Sequence, residues 1–246
     1  MRNLDAYQQQ YGALPFEAVQ AHFRKRKICE FLPRYRPRSL LEIGCGLDPI
    51  FNHSIEFEMC TVVEPGDHFA RNALEQAGSR DGIEIVHGTL EASVERLRDK
   101  HFDFIIVSSL LHELADPTPL LDAAALLCGP TTIVHVNVPN ARSFHRLLAY
   151  EMGIVPSIYE RSDVQRQMQQ SHTFDIESLT ALVARSGFQS VEQGTFFVKP
   201  FTHAQMAVLQ TTGVLTDSML EGLYRMSKHF PDHGSEIYMN LKLRGP

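Results

Sequence analysis

Short apolar runs and amphipathic stretches alternate along most of this chain. The run SLLEIG (39–44) is apolar except for Glu42 and stops at a glycine, as a strand buried on both faces does. MCTVVEP (59–65), IEIVHG (83–88), FDFIIVSSL (102–110) and TTIVHVNVP (131–139) repeat the pattern. Between them HFARNALEQAG (68–78), LEASVERLRDK (90–100) and DPTPLLDAAALLC (116–128) read as helices, the last with its prolines in the first turn. Strands alternating with helices predict a parallel, doubly wound sheet with right-handed crossovers. DIESLTALVARSG (175–187) is a further helix, with Asp175 as N-cap and Gly187 as stop. FQSVEQGTFFVKPF (188–201) and EIYMNLKL (236–243) are two late strands joined through a helical stretch at 203–229. That long excursion points to an edge pair with one antiparallel strand. The expected class is α/β, a doubly wound, mostly parallel seven-stranded sheet with an antiparallel edge strand.

Two segments stand outside the alternation. Residues 16–32 predict a helix with Ala21, Phe23, Ile28, Phe31 and Leu32 on one face, ended by Pro33. Residues 1–33 are expected to form a helical N-terminal cover that includes Tyr7 and Tyr11. Residues 140–174 are the least regular and follow the fifth strand, on the side where open α/β sheets bind ligands. They are expected to act as a lid-like insertion.

Composition narrows the class. The chain has 246 residues, 43% hydrophobic and 21% charged, which suits one folded domain. No apolar run approaches the ~18 residues a membrane span needs, and the N-terminus lacks the apolar core of a secretion signal, so the cytoplasm is expected. Cys29, Cys45, Cys60 and Cys128 form no CxxC pair, which leaves them as small apolar residues and gives no metal site. A net charge of −6 argues against nucleic acid as a partner. Residues 22–38 run against that balance, with Arg24, Lys25, Arg26, Lys27, Arg34, Arg36 and Arg38 against Glu30 alone. On a helix Arg24 and Lys25 share a side with Ala21 and Ile28, so one of them can face a cleft; the alternative is a solvated cationic face. A functional patch would favour an anionic substrate, for which Asn137, Asn140, Arg142 and Arg146 add donors.

Gly44-Cys45-Gly46 directly follows the first strand, where glycines let the backbone turn tightly and approach a ligand. A dinucleotide fingerprint would need glycine or alanine at 49, and this chain has Pro49. Glu42, at the end of a buried strand, needs a partner or water. Glu64 ends the second strand, where a carboxylate accepts hydrogen bonds from both hydroxyls of a ribose.

The segments LLEIGCG, VVEP, HGTLE, FDFIIVSSLLHEL, VNVPN and SGF, spread over residues 38–200, resemble the class I S-adenosylmethionine-dependent methyltransferases, in their small-molecule branch. The resemblance implies a single Rossmann-like methyltransferase domain over 1–246, with S-adenosyl-L-methionine as cofactor and S-adenosyl-L-homocysteine as product. It implies that Gly44 and Gly46 approach the amino-acid end of the cofactor, that Glu42 neighbours its ammonium through water, and that Glu64 binds ribose. Thr89 and Leu90 would flank adenine, Ser108 and Ser109 would line the cleft under the methionine arm, and Arg24 has the spacing of a residue that binds the cofactor carboxylate. Asp48 departs from the family pattern at its third glycine, and Thr89 replaces the acid that often meets adenine.

Methyl transfer needs alignment of nucleophile, methyl and sulfur, and a hydroxyl nucleophile gains from a base near neutral pKa. His145, His112 and His172 are the candidate bases, with His203 ranked below them and His135 read as a core residue; alignment without a base is the alternative. The fourth strand ends in SSLLHE rather than (Asp/Asn/Ser)-Pro-Pro-(Tyr/Phe/Trp), which argues against adenine or glutamine methylation and leaves oxygen, carbon and amine nucleophiles open, oxygen being the first choice. The expected acceptor is a small polar metabolite, anionic or sugar-containing, with no nucleic acid or membrane partner and the oligomeric state open. Two other readings are a non-catalytic cofactor-binding protein on the same scaffold and a nicotinamide-dependent oxidoreductase.

Overall fold

In the computed structural model, which describes residues 14–53 and 55–245, the apolar runs become one sheet. Its strands are β1 (Ser39–Ile43), β2 (Met59–Glu64), β3 (Ile83–His87), β4 (Phe102–Ser108), β5 (Cys128–Pro139), β6 (Phe188–Phe196) and β7 (Glu236–Leu243). They lie in the order β3-β2-β1-β4-β5-β7-β6. The first five pair in parallel, and β7 runs antiparallel to both β5 and β6.

The helices are α1 (Glu17–Tyr35), α2 (Asp67–Ala77), α3 (Leu90–Leu97), α4 (Thr118–Leu126), α5 (Phe144–Glu151), α6 (Asp163–Gln167), α7 (Ile176–Arg185), α8 (His203–Thr211) and α9 (Asp217–Arg225). Strand periodicity assigns the two faces. Leu41, Ile43, Ile105 and Val107 pack under α3, α4 and α7 with Leu90, Leu97, Leu121 and Leu179. Leu40, Cys60, Val62, Phe104 and Ile106 face α1 and α2, against Ile28, Phe31, Leu32 and Ala73. A third core joins Phe16 and Phe23, at the start of α1, to Phe196, Phe197, Met206, Leu220 and Tyr224. The ring centroids of Phe23 and Phe197 are 4.4 Å apart.

Element ends depart from the sequence expectation for local reasons. Pro33 does not stop α1, which ends at Arg36 with φ 46 and an N–H bonded to the Leu32 carbonyl. A proline in the last turn forfeits one backbone hydrogen bond, and the remaining turn carries the helix on. β6 ends at Phe196, five residues short of 201, because Phe197 turns to φ 58. The stretch at 203–229 is two helices, broken at Gly213 (φ 75) and restarted where Thr216 Oγ1 accepts the Met219 N–H at 3.3 Å. Asp175 caps α7 as expected: Oδ1 accepts from Ser178 N at 2.8 Å, and Ser178 Oγ returns to Asp175 N. The expected N-terminal cover is described from residue 14 onward; Tyr7 and Tyr11 lie outside the described residues. Among the described residues no helix is long and apolar enough to cross a membrane.

The fold makes a contrasting prediction for two apolar side chains. Phe104 is fully buried on the central strand, between the rings of Tyr35 and His135. Phe104→Ala should lower stability by about 3–5 kcal/mol in urea unfolding. Leu126, 72% exposed, should change stability by less than about 0.5 kcal/mol when replaced by alanine.

Candidate functional site

The carboxyl ends of β1, β2 and β4 open on a cavity of about 540 Å³. It lies where strand order reverses, with β2 and β3 on one side of β1 and β4 and β5 on the other. The glycine turn forms its floor. Gly44 (φ 72) and Gly46 (φ 61) hold left-handed backbone, which a side chain would strain. Ala18, Ala21, Arg24 and Lys25, spaced along one face of α1, form a wall.

Glu64 reaches this cavity from the end of β2 and is 4% exposed. Its Oε1 accepts the Gly66 N–H at 2.8 Å and its Oε2 the Gly46 N–H at 3.4 Å. Burial pushes its carboxyl above the usual range, and those N–H donors pull it back. Oε1 keeps a lone pair for a further donor, while Oε2 also meets the weak Cys45 thiol donor at 3.8 Å.

Glu42 is fully buried and is not part of the cavity lining. Its Oε1 is ion-paired with Lys25 Nζ, and its Oε2 accepts the Ile50 N–H at 2.7 Å. The charge at the end of β1 is therefore met by protein, and Lys25 is the member of the pair that borders the cavity.

The other expected cofactor residues stand as follows. Thr89 caps α3, its Oγ1 accepting from Ala92 N at 3.3 Å, and lines the cavity with Leu90. Ser108 and Ser109 also line it; the Ser108 hydroxyl and the Ser109 N–H both donate to Asn137 Oδ1, at 3.1 and 3.0 Å. Arg24 lines the edge, held by Glu17 and, at 3.3 Å, by Glu236. Asp48 faces the cavity, and its Oδ2 is 2.9 Å from His53 Nε2. That hydrogen bond holds the Asp48 carboxyl below its usual range.

The candidate bases do not converge. His112, 3% exposed, lies beyond β4, where its carbonyl accepts the Ser171 and His172 N–H groups at 2.8 and 3.1 Å. His172 meets the Ala115 carbonyl through Nε2 at 3.1 Å and stacks on Phe174. Neither lines the cavity, nor does any residue of 140–174. Within that segment Arg146 donates to the Ile158 carbonyl and Gln165 Oε1 at 2.8 and 3.0 Å, and Asn140 Nδ2 to the carbonyls of Asp232 and Gly234. These donors, and that of Asn137, are used inside the fold. His135 is a core residue: Nδ1 meets Asn240 Oδ1 at 2.8 Å, and burial pushes its pKa down to about 4.

A polar cluster that the sequence did not single out lies behind Glu17 and Arg24. Gln20 Nε2 donates to Glu236 Oε1 at 2.8 Å and to Ser235 Oγ at 3.0 Å. Glu236 is 2% exposed, and burial raises its carboxyl pKa. Lys199, 3% exposed, has its pKa pushed down to about 7 by burial, against the pull of Glu236 and Glu17. Desolvation, with Lys199 and Arg24 nearby, takes His203 down to about 3. His145 also falls well below its ordinary value, through desolvation and the charge of Lys199, and its Nδ1 is buried without a hydrogen-bond partner. The only signal for Lys199 in the sequence is a lone charge in the apolar run FFVKPF.

Except at Arg36, the cations of the basic stretch meet carboxylates. Arg26 pairs with Glu221 at 2.6 Å, Lys27 with Glu30 at 2.9 Å, Arg34 with Glu192 at 2.9 Å and Arg38 with Glu58 at 2.6 Å. All four cysteines are free, and burial raises each thiol pKa. Among the described residues no group of three or more His, Cys, Asp or Glu side chains is placed to hold a metal ion.

A family model described as a methyltransferase domain matches residues 20–193. No curated protein sequence matches the chain. Solved structures of low identity share the fold. A SAM-dependent methyltransferase from Archaeoglobus fulgidus is 16% identical, with a TM-score of 0.54 over 90% of this chain and 93% of that one. The N-methyltransferase NodS from Bradyrhizobium japonicum WM9, in complex with S-adenosyl-L-homocysteine, is 12% identical, with a TM-score of 0.55 over 94% and 89%. The mitomycin 7-O-methyltransferase MmcR is 15% identical, with a TM-score of 0.52 over 85% of this chain and 50% of that one.

The Lys25–Glu42 pair makes a test of the site's electrostatics. Lys25→Met leaves a buried carboxylate without its cation and should cost about 3–5 kcal/mol in urea unfolding. Adding Glu42→Gln should recover most of that loss; equal stability of the single and double variants would show the pair to be uncoupled.

Proposed function

The chain belongs to the class I S-adenosylmethionine-dependent methyltransferases, and we propose that it methylates a small polar acceptor at oxygen, with an anionic or sugar-containing metabolite as the acceptor class. The carrying observation is Glu64: a carboxylate at the end of β2, steadied by two N–H donors and facing the cavity beside the glycine turn. A carboxylate acceptor so placed fits the hydroxyls of a ribose, and the positive-φ glycines leave room for a close approach of the amino-acid end. The cofactor supplies an electrophilic methyl group on a sulfonium.

The protein's own residues then bind and orient. In this reading Glu64 accepts the ribose hydroxyls, Thr89 and Leu90 flank the adenine, Gly44 and Gly46 admit the amino-acid end, and Ser108 and Ser109 lie beneath it. Arg24, engaged by Glu17 and Glu236, shapes the edge between this cavity and the Lys199 cluster. Lys199 supports an anionic acceptor, since a buried ammonium with two imidazoles around it gains by meeting an anion. His145 is the candidate base on the side of the Lys199 cluster: its Nδ1 is buried without a hydrogen-bond partner, but burial weakens it as a base and it does not line the cavity. His112 and His172 join the turn after β4 to residues 140–174 and act by positioning that segment. The N-terminal helix serves as the cover, through Ala18, Ala21, Arg24 and Lys25, and a lid role for residues 140–174, which do not line the cavity, would need them to move over it.

Calorimetry should show S-adenosyl-L-homocysteine binding to the wild type, weakened at least tenfold by Glu64→Ala. Labelled S-adenosyl-L-methionine should pass its methyl to a small molecule of a cell extract as an ether or ester. Absence of binding would end the methyltransferase reading for this cavity, and label recovered on an amine would end the oxygen assignment.

Lys199→Met separates the acceptor site from the cofactor site. Transfer should fall at least tenfold while homocysteine-product binding holds. Stability should move the other way. Unfolded, the lysine keeps its proton up to about 10.5; folded, only to about 7. Between those values the unfolded chain binds more protons, so the folded protein loses stability as pH falls from about 10.5 to 7. At pH 7 the variant should melt roughly 2–4 °C higher for each 1 kcal/mol regained, and this gain should vanish above pH 10.5.

A further inference from the structure

Both oxygens of Glu42 are occupied, one by Lys25 and one by the Ile50 N–H, and the residue does not border the cavity. An ammonium group arriving at the glycine turn finds no carboxylate offered by β1. The turn itself provides one. Asp48 stands two residues after Gly46, lines the cavity, and keeps its side chain 51% exposed. His53 Nε2, at 2.9 Å from Oδ2, fixes that carboxylate in place.

The other acids lining the cavity have different settings. Glu17 is ion-paired with Arg24. Glu64 is bound to the amides of Gly66 and Gly46 at the end of β2. Glu91 sits on α3 beside Thr89 and Leu90, and Glu113 lies past β4. Lys25, by contrast, borders the cavity close enough for its charge to act on Asp48. Asp48 on the glycine turn and Lys25 on α1 thus border the same cavity, one anion and one cation. An α-amino acid carries the complementary pair, an ammonium and a carboxylate.

Resting on the methyltransferase reading, we propose that Asp48 binds the α-ammonium of S-adenosylmethionine, in place of Glu42, with His53 as the residue that positions it. Lys25 has one N–H committed to Glu42 and turns its remaining donors to the α-carboxylate. The substitution of aspartate for the third glycine is then the compensation for a first-strand glutamate spent on holding α1.

The test is binding alone. Affinities for S-adenosyl-L-homocysteine and for its des-amino analogue, which keeps the carboxylate and lacks the α-ammonium, are measured by calorimetry in the wild type, Asp48→Asn, Glu113→Gln and Glu64→Ala. The wild type should favour the amino ligand at least tenfold. Asp48→Asn should reduce that preference to within twofold, leaving affinity for the des-amino ligand unchanged. Glu113→Gln should keep the preference, and Glu64→Ala should weaken both ligands alike. A preference retained in Asp48→Asn, or one erased instead in Glu113→Gln, overturns the assignment while leaving the cofactor site in place. Failure of the wild type to bind either ligand overturns the methyltransferase reading itself. Circular dichroism of Asp48→Asn should match the wild type, because the side chain is half exposed.

Discussion

The Lys25–Glu42 ion pair ties the N-terminal helix to the end of the first strand, beneath the turn that forms the cavity floor. Glu42 carries a charge into a fully buried position, which would be costly without both its cation and the Ile50 N–H. Meeting that need fixes the rotation of α1 about its own axis. With Lys25 directed at β1, Arg24 and Gln20 fall on the side of β7, and both bond Glu236 there. The same rotation lays Ile28, Phe31 and Leu32 on the sheet and turns Phe16 and Phe23 toward Phe197 and Tyr224. Ala18 and Ala21 then face the cavity with no long side chain to fill it. One helix thus walls the cavity, fastens two strands and separates the cavity from the Lys199 cluster.

This dependence explains which parts of the chain were legible in its sequence. The parallel strands were, because burial on both faces leaves uninterrupted apolar runs. The glycine turn and Glu64 were, because they act locally, at the ends of the strands that carry them. Glu42 could be seen to need a partner, but the partner lies seventeen residues upstream on a helix, and nothing in strand periodicity points to it. Spacing along α1 offered Arg24 and Lys25 as neighbours without choosing between them, since the choice is made by the sheet beneath. The strand ends were missed where a single backbone angle decides, as at Phe197. The residues at 140–174 follow the fifth strand as expected, but their hydrogen bonds run to one another, to His112 and to the loop at 232–234. Such pairing of side chains with distant carbonyls leaves no periodic mark.

The polar cluster behind α1 follows a different logic. A buried lysine whose pKa is driven down to about 7, a buried carboxylate driven up, and an imidazole nitrogen without a partner all cost folding free energy. A fold optimised for stability alone would replace them with apolar side chains, as it has on either side: the neighbouring core of Phe16, Phe23, Phe196 and Phe197 is wholly apolar. Polar groups retained at such cost beside a cavity are where binding and proton transfer are to be sought.

The two halves of the site therefore answer to different parts of the chain. The cavity is built from strand ends, which belong to the family-matched segment 20–193 and to a fold shared at 12–16% identity with methyltransferases that include an N- and an O-methyltransferase. On the proposed reading the acceptor half would draw on Lys199, His203 and Glu236 from beyond residue 193, on the segment that leads through α8 and α9 into the antiparallel strand β7. Because β7 inserts between β5 and β6, that segment joins the sheet without disturbing the parallel strands, and it meets the cavity wall through the bond of Glu236 to Arg24. Changes of acceptor can then accumulate in the 197–235 excursion while Glu64, the glycine turn and the Lys25–Glu42 pair stay as they are. That separation is a physical reason for one sheet to accept the same methyl donor and many different acceptors.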